Sequence, residues 1–311
     1  MNVRNYILIA RPDNAIKNLF VLPGIIFATF LGNYTFNENI LSIVIGLTAT
    51  IFIASANYII NEWLDADSDK YHPTKKNRPS ATGNVTKFIV YVEYGLLVIL
   101  GLGLSISISP GFFLAAFALL FMGIVYNVRP LRTKDKVYLD VISESVNNPI
   151  RFILGWYIVI PNLTLPPSSI IIAYWMAGAF LMAIKRYAEF RFIGNPQTAG
   201  LYRRSFLFYT EEKLLISSFF YALCSAFFLG IFLMKYKIEL IISFPFFAFL
   251  FTLYFRIGLK PNSMAQKPES FYKEKYLLIY CIIFIVLLLL LLKINIPILK
   301  VFLEYPFGVM R

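Results

Sequence analysis

Residues 39–69 read NILSIVIGLTATIFIASANYIINEWLDADSD. The part from 39 to 60 carries no charged side chain, and it is long enough to cross a bilayer, which takes ~20 apolar residues. The run then ends on Asn61-Glu62-Trp63-Leu64-Asp65-Ala66-Asp67-Ser68-Asp69. Asn61, Asp65 and Asp69 recur every four residues, which on a helix places them on one face, with Asp67 pointing roughly the other way. Carboxylates stacked at a membrane boundary repel one another and require a compensating charge. A divalent cation supplies it: two carboxylates, an amide oxygen and substrate phosphate oxygens make an environment for Mg2+. The competing reading is a solvated helix end.

The rest of the chain follows the same plan. Of the 311 residues, 59% are hydrophobic and 15% charged, against about a quarter charged in soluble domains. The mean hydropathy is +0.69. Apolar spans are expected at 15–34, 39–60, 86–108, 111–127, 138–160, 168–190, 214–234, 238–257 and 276–293. Pro110, Pro161, Pro166 and Pro167 mark turns between them. The expected fold class is all-α: a polytopic membrane bundle of about nine transmembrane helices around a central cavity open to the cytoplasmic side, with residues 1–311 forming one domain. The apolar stretch at Tyr6–Ala10 is too short for a cleaved signal, so the first long span is expected to stay as an anchor. Cys224 and Cys281 lie in apolar runs and point to neither a disulfide framework nor a metal knuckle.

Charge sets the orientation. Most of the 29 basic residues sit in the N-terminal segment and in the loops that follow spans two, four, six and eight. By the positive-inside rule these are cytoplasmic, and nine spans leave the C-terminus, with Arg311, outside. The net charge of +12 is therefore no sign of nucleic acid. Anionic lipid headgroups and phosphorylated small molecules are the expected partners. Oligomeric state is not legible.

Four further polar groupings stand out. His72-Pro73-Thr74-Lys75-Lys76-Asn77-Arg78-Pro79 is a loop stiffened by two prolines, in which Lys75 and Arg78 are candidates to hold phosphate oxygens. His72, the only histidine, reads as a loop or supporting residue rather than a catalytic base. Span five carries Asp140, Glu144, Asn147 and Arg151 at steps of four, three and four, an ionisable stripe on one face of a membrane helix. Internal pairing of acid with arginine is the competing reading. Span six ends on Lys185-Arg186-Tyr187-Ala188-Glu189, and Lys17-Asn18 opens span one. The 31 phenylalanines and 20 tyrosines read as packing or lipid-facing residues without a chemical role.

These residues resemble the UbiA superfamily of intramembrane prenyltransferases. Its first aspartate-rich motif, Asn-Asp-x-x-Asp-x-x-x-Asp, stands here as Asn61, Glu62, Asp65 and Asp69, departing only at the second position. Arg78-Pro79 and Gly83 also match. Within the superfamily the likeness is to the decaprenyl-phosphate phosphoribosyltransferase branch. It is carried by Arg11-Pro12 with Lys17-Asn18, by His72-Pro73-x-Lys75, by Lys185-Arg186-Tyr187-Ala188-Glu189, and by Tyr209-Thr210 and Pro268-Glu269. The second Asp-x-x-x-Asp of ordinary members is absent after span six, where Glu189 is the only acid. The branch's tryptophan before Lys17 is replaced by Ala15-Ile16, and the segment from Leu139 to Arg151 is richer in acids and amides than the branch pattern.

The resemblance implies transfer of 5-phosphoribosyl from phosphoribosyl pyrophosphate to a polyprenyl phosphate. Mg2+ is then held by Asp65 and Asp69 with Asn61. The candidate catalytic residues are Asp65, Asp69, Lys185 and Glu189. The candidate substrate-binding residues are Lys17, Asn18, Lys75, Arg78, Asp140, Glu144, Asn147, Arg151 and Arg186. The alternatives are a prenyltransferase moving the lipid from its diphosphate to an aromatic or other small acceptor, and a non-enzymatic transporter of an anion or lipid phosphate.

Overall fold

The structure is a computed structural model that describes residues 2–32, 34, 39–267, 271 and 273–303. Pro268, Glu269 and Arg311, singled out above, lie outside the described residues. All regular structure among the described residues is helical. The helices are α1 (Val3–Ile9), α2 (Leu22–Leu31), α3 (Ile40–Leu64), α4 (Ala66–Asp69), α5 (Lys87–Ile106), α6 (Pro110–Asn127), α7 (Leu139–Ser145), α8 (Asn147–Val159), α9 (Ser168–Ile193), α10 (Pro196–Tyr202), α11 (Glu211–Tyr236), α12 (Phe244–Gly258) and α13 (Lys275–Lys293). A 3-10 stretch, Pro12–Val21, joins α1 to α2, and another, Ile238–Ser243, leads into α12.

Local chemistry sets these boundaries. Ser109 caps α6 by accepting the Phe112 amide at 3.1 Å, with Pro110 at the first helical position, where its missing N–H costs nothing. Asn195 accepts the Gln197 and Thr198 amides at 2.9 and 3.0 Å at the start of α10, and Thr210 accepts the Lys213 amide at the start of α11. Helix α9 stops at Gly194, whose φ of +75° suits glycine.

Among the described residues, eight helical segments are long and apolar enough to cross a membrane: 3–31, 40–64, 87–106, 110–127, 168–193, 211–236, 238–258 and 275–293. The remaining expected span, 138–160, is two shorter helices, α7 and α8. Val146 between them keeps right-handed helical dihedrals (φ −60°, ψ −21°), so the chain continues in one direction through the break. Lipid exposure is visible in the burial pattern. Helix α13 has the most apolar stretch, at a mean hydropathy of 2.9, yet only 17% of that stretch is buried. A soluble protein does the reverse. The chain is an integral membrane protein.

The bundle packs α2 and α6 against α8, α5 and α6 against α3, and α11 along most of α9. The two largest apolar clusters among the described residues lie around Phe112, Phe152 and Trp156 and around Phe180, Ile184 and Tyr254. Helix α3 has 25 residues and reaches roughly 37 Å at 1.5 Å per residue, more than the ~30 Å hydrocarbon core. Its polar last turn therefore emerges at the boundary, and the cavity lies between that turn, the 3-10 stretch 12–21, α6, α8 and α9.

The α2–α8 crossing depends on glycine from both sides. A Cβ on Gly24 would lie 1.9 Å from the Phe152 carbonyl oxygen, and one on Gly155 would lie 2.0 Å from that of Val21. Both obstacles are backbone and have little freedom to retreat. Gly155→Ala is expected to destabilise the protein by about 1–3 kcal/mol, seen as a lower unfolding temperature in detergent. Gly103→Ala on the open face of α5 should not lower it; equal behaviour of the two variants would contradict this account.

Candidate active site

The first wall of the cavity is the end of α3. Asp65 leaves helical geometry (φ −98°, ψ 0°), but the hydrogen bonds from the Asp65 amide to Asn61 O (3.1 Å) and from the Asp69 amide to Asp65 O (2.8 Å) keep the register of four through the bend. Asn61 Nδ2 donates to Asp65 Oδ2 at 3.3 Å and to Asn127 Oδ1 at 2.5 Å. Asp65 Oδ1 accepts from Arg132 Nη2 at 2.9 Å and meets Lys134 Nζ at 2.5 Å. Burial pushes the Asp65 carboxyl up, but Lys134, Arg132 and Arg203 outweigh it, leaving the group below the usual carboxylate range and ionised. Asp69 pairs with Arg78 Nη1 at 2.5 Å. There burial, helped by nearby Asp65, prevails over Arg78 and Lys75, and the carboxyl is raised. Glu62, which departs from the family pattern, is buried and accepts from Arg11 Nε and Nη2 at 3.1 Å each. Arg11 has a positive φ of 51°, so the chain turns sharply there to reach it.

The opposite wall is α9. Arg186 is only 1% exposed and is surrounded by acceptors. Its Nε reaches Asp140 Oδ2 at 3.3 Å, Nη1 reaches Glu189 Oε2 at 3.1 Å, and Nη2 donates to Tyr126 Oη at 3.0 Å and to Glu144 Oε2. Glu189 in turn accepts from Lys75 and from Tyr202 Oη. His72 Nε2 lies 3.7 Å from the same carboxylate. His72 Nδ1 accepts the Thr74 and Lys75 amides at 3.2 and 3.3 Å, which leaves the proton on Nε2. Burial, reinforced by Lys75 against the pull of Glu189, pushes the imidazole down to about 3. His72 is thus a neutral brace for the loop.

The third wall is the broken pair α7–α8. Its predicted stripe divides. Asp140 is fully buried and faces away from the cavity, held by Tyr209 Oη at 2.7 Å and Ser205 Oγ at 3.1 Å as well as Arg186. Glu144, Asn147 and Arg151 line the cavity. Lys185 Nζ lies 3.5 Å from Glu144 Oε1, so Lys185 pairs across to α7 rather than along its own helix to Glu189. Arg151 is 7% exposed. Its Nε donates to Asn18 Oδ1 at 3.2 Å and its Nη1 to Asn147 O at 3.3 Å. Among the described residues it has no carboxylate partner.

These walls enclose about 630 Å³. Of the predicted residues, Lys17, Asn61, Asp65, Lys75, Arg78, Glu144, Asn147, Arg151, Lys185 and Arg186 line it. Asn18, Asp69, Asp140 and Glu189 stand one layer behind, against Arg151, Arg78, Arg186 and Lys75 respectively. Several residues of the site were not anticipated. Lys134 holds Asp65, and Arg203 lines the cavity and donates to Tyr126 Oη at 3.1 Å. The tyrosines also count, contrary to their reading as packing material: Tyr126, Tyr202 and Tyr209 donate to the carboxylates of Glu144, Glu189 and Asp140 respectively. Their signal in the sequence was position, beside Asn127, Arg203 and Thr210 at the polar ends of helices rather than inside apolar runs.

The donor set at the α3 end fits a hard divalent cation. It is all oxygen, Asp65 is held ionised, and Asn61 uses its amide nitrogen for internal bonds so that its oxygen accepts none among the described residues. No group of three or more His, Cys, Asp or Glu suited to a metal occurs among the described residues. Two carboxylates and an amide leave further positions to ligand oxygens.

Removing the central cation exposes how much the buried charges depend on it. Arg186→Met would leave Asp140, Glu144 and Glu189 competing for the remaining cations at a cost of about 3–5 kcal/mol. The expected result is loss of folded protein after detergent extraction, measured by size-exclusion chromatography and thermal unfolding. Wild-type stability would exclude this supporting role.

Comparison with known proteins agrees with this architecture. The pattern of the UbiA prenyltransferase family matches residues 20–279. Decaprenyl-phosphate phosphoribosyltransferase of Mycolicibacterium smegmatis is 28% identical over 68% of this chain and 64% of its own length, so the match spans less than two thirds of that relative. Protoheme IX farnesyltransferase of Macrococcus caseolyticus is 28% identical over 56% of this chain and 57% of its own. A UbiA homolog from Archaeoglobus fulgidus, solved bound to GPP and Mg2+, superposes with a TM-score of 0.69 over 93% of this chain and all of that one, at 22% identity. With the family pattern covering most of the nine-segment bundle and its aspartate-bearing end, the chain belongs to the UbiA prenyltransferase family.

Proposed function

We propose that the protein is an Mg2+-dependent intramembrane transferase that moves 5-phosphoribosyl from phosphoribosyl pyrophosphate to a polyprenyl phosphate and releases diphosphate. The observation that carries this reading is the charge of the α9 side of the cavity. Where a second acidic metal site would stand, Lys185 and Arg186 face the space, and the one acid, Glu189, is consumed by Lys75, Arg186 and Tyr202. Over the whole cavity lining cations outnumber acids, which suits substrates with phosphate at both ends. Arg151, a buried cation without a carboxylate partner among the described residues, favours a ligand that brings its own negative charge, because an unpaired buried charge is costly. The likeness to the phosphoribosyltransferase relatives points the same way.

Asn61, Asp65 and Asp69 would hold Mg2+, which supplies charge neutralisation for the departing diphosphate. Lys75 and Arg78 clamp its oxygens and stabilise the charge that develops as the bond from the anomeric carbon to diphosphate breaks. The leaving diphosphate takes the electron pair. An oxygen of the lipid phosphate forms the new bond to that carbon. This nucleophile is already anionic, so no base is needed, in keeping with a neutral, braced His72. Lys17 and Lys185 steer the lipid phosphate, and Glu144, Asn147 and Arg151 hold the ribose or its 5-phosphate. Asp140, Asn18 and Glu189 act through the arginines and lysine that they position. The polyprenyl chain stays in hydrocarbon, and the polar end of the bundle, carrying the basic loops, faces the cytoplasm.

A product assay tests the reading. Purified protein in detergent with Mg2+ receives labelled phosphoribosyl pyrophosphate and a polyprenyl phosphate in one arm, and a polyprenyl diphosphate with aromatic acceptors in the other. Mg2+-dependent label in the lipid fraction of the first arm is expected. Product only in the second would replace this reading with classical prenyl transfer. Asp65→Ala and Asp69→Ala should each abolish turnover and leave folded protein in the membrane; near-normal rates in either would remove the metal role.

The pH profile offers a separate check. Burial holds the Lys75 ammonium down to about 8, only partly countered by Glu189. Its charge is present below that pH and is lost as pH rises through it. kcat/KM for the phosphorylated donor should therefore fall on passing about 8, whereas a flat profile across that value would deny Lys75 a phosphate contact.

A further inference from the structure

A second groove, of about 510 Å³, lies beside the main cavity. It is formed by the α3–α4 bend, which carries Asp67, by the α6–α7 loop with Arg129, Arg132 and Asp135, and by the turn after α10 with Arg204. Its two acids are already met: Asp67 pairs with Lys70 at 2.8 Å and Asp135 with Arg132 at 3.0 Å. Arg129 and Arg204 are exposed, and among the described residues their side chains make no ion pair or hydrogen bond. Two arginines without acids thus converge on one concavity. A basic loop that only sets topology needs no such convergence.

The partition between groove and cavity is polar. Asn127 and Tyr202 line both spaces. Between them stands Arg132, which donates through Nη2 to Asp65 on the cavity side at 2.9 Å and through Nε to Asp135 on the groove side at 3.0 Å. Its Nη1 donates to Asn127 O at 3.0 Å. The wall at this point is thus built on ion pairs and hydrogen bonds of one arginine.

We propose that this groove is a second phosphate-binding site, which takes a water-soluble diphosphate or diphosphate-bearing molecule on its way between solvent and the main cavity. Guanidinium groups recognise phosphate bidentately, and an excess of arginine over paired acids in a cleft concentrates anions. An anionic lipid headgroup offers the same phosphate chemistry; the wall shared with the cavity favours the soluble source. The direction of traffic rests on diphosphate release in the main cavity, but binding in the groove is measurable without turnover.

The test is calorimetric titration of inorganic diphosphate into the full-length protein in detergent. The wild type is compared with the Arg129→Gln/Arg204→Gln double variant and with Lys75→Gln, which reports the main cavity. Two classes of site are expected in the wild type. The double variant should lose one and retain the other, which also reports that it is folded, while Lys75→Gln weakens the class that the double variant keeps. A double variant that binds diphosphate as the wild type does overturns the proposal. So does a double variant in lipid nanodiscs that loses only a preference for phosphatidylglycerol over phosphatidylcholine, since the groove would then hold headgroups. If neither arm of the transfer assay yields product and the double variant still loses one class, the reading of the cavity falls and the groove stands.

Discussion

The guanidinium of Arg186 joins the parts of the site that lie far apart in the chain. It binds Asp140 and Glu144 of α7, Glu189 of its own helix and the hydroxyl of Tyr126 on α6. Through Glu189 it reaches Lys75 in the loop after α4, and through Asp140 it reaches Ser205 and Tyr209 after α10. A buried cation among three carboxylates depends on its partners being in place, because Arg186, Asp140 and Glu189 have all given up their water. The loops that carry the site are therefore ordered by the same interaction that joins α6, α7 and α9. Arginine suits the position because its planar fork presents five donors in fixed directions.

The bilayer makes this arrangement necessary. Charged side chains are costly within hydrocarbon, and most of those in the bundle gather at one end, where they face the cavity or one another. Pairing is incomplete in one sense: on the cavity walls cations outnumber acids. Arg151 of α8 has, among the described residues, only amide and carbonyl oxygens as hydrogen-bond partners. On the proposed reading, phosphate groups would meet this surplus, and Asn61, Asp65 and Asp69 would hold a hard cation at the opposite wall.

Some of the site was legible before the structure. The spacing of Asn61, Asp65 and Asp69 survives the bend at Asp65 because the backbone hydrogen bonds keep the register of four. The stripe from Asp140 to Arg151 was legible as polar but not as divided: the break at Val146 and the demand of Arg186 turn Asp140 away from the cavity while Glu144, Asn147 and Arg151 keep to it. Lys185 and Glu189 have the spacing of an intrahelical pair, yet each takes a partner from elsewhere. Tyr126 and Tyr202 were hidden among many aromatic residues, and Tyr209 was marked only by the family likeness, since composition does not separate a hydroxyl that serves a carboxylate from a ring that faces lipid.

Hydropathy and helix period act over a few turns of chain, so the sequence by itself determined the order of the apolar spans, though the first begins at Val3 rather than 15 and the fifth is broken, and the register of four shared by Asn61, Asp65 and Asp69. Which charge meets which was decided only by the tertiary structure. Lys75 and Glu189 are separated by 114 positions, Arg151 and Asn18 by 133, and no local rule links them. In low dielectric a charge takes whichever opposite group the packing brings within reach, and the packing here is set by helix crossings such as that of Gly24 and Gly155. The division between residues that line the cavity and residues that hold them in place follows from that packing.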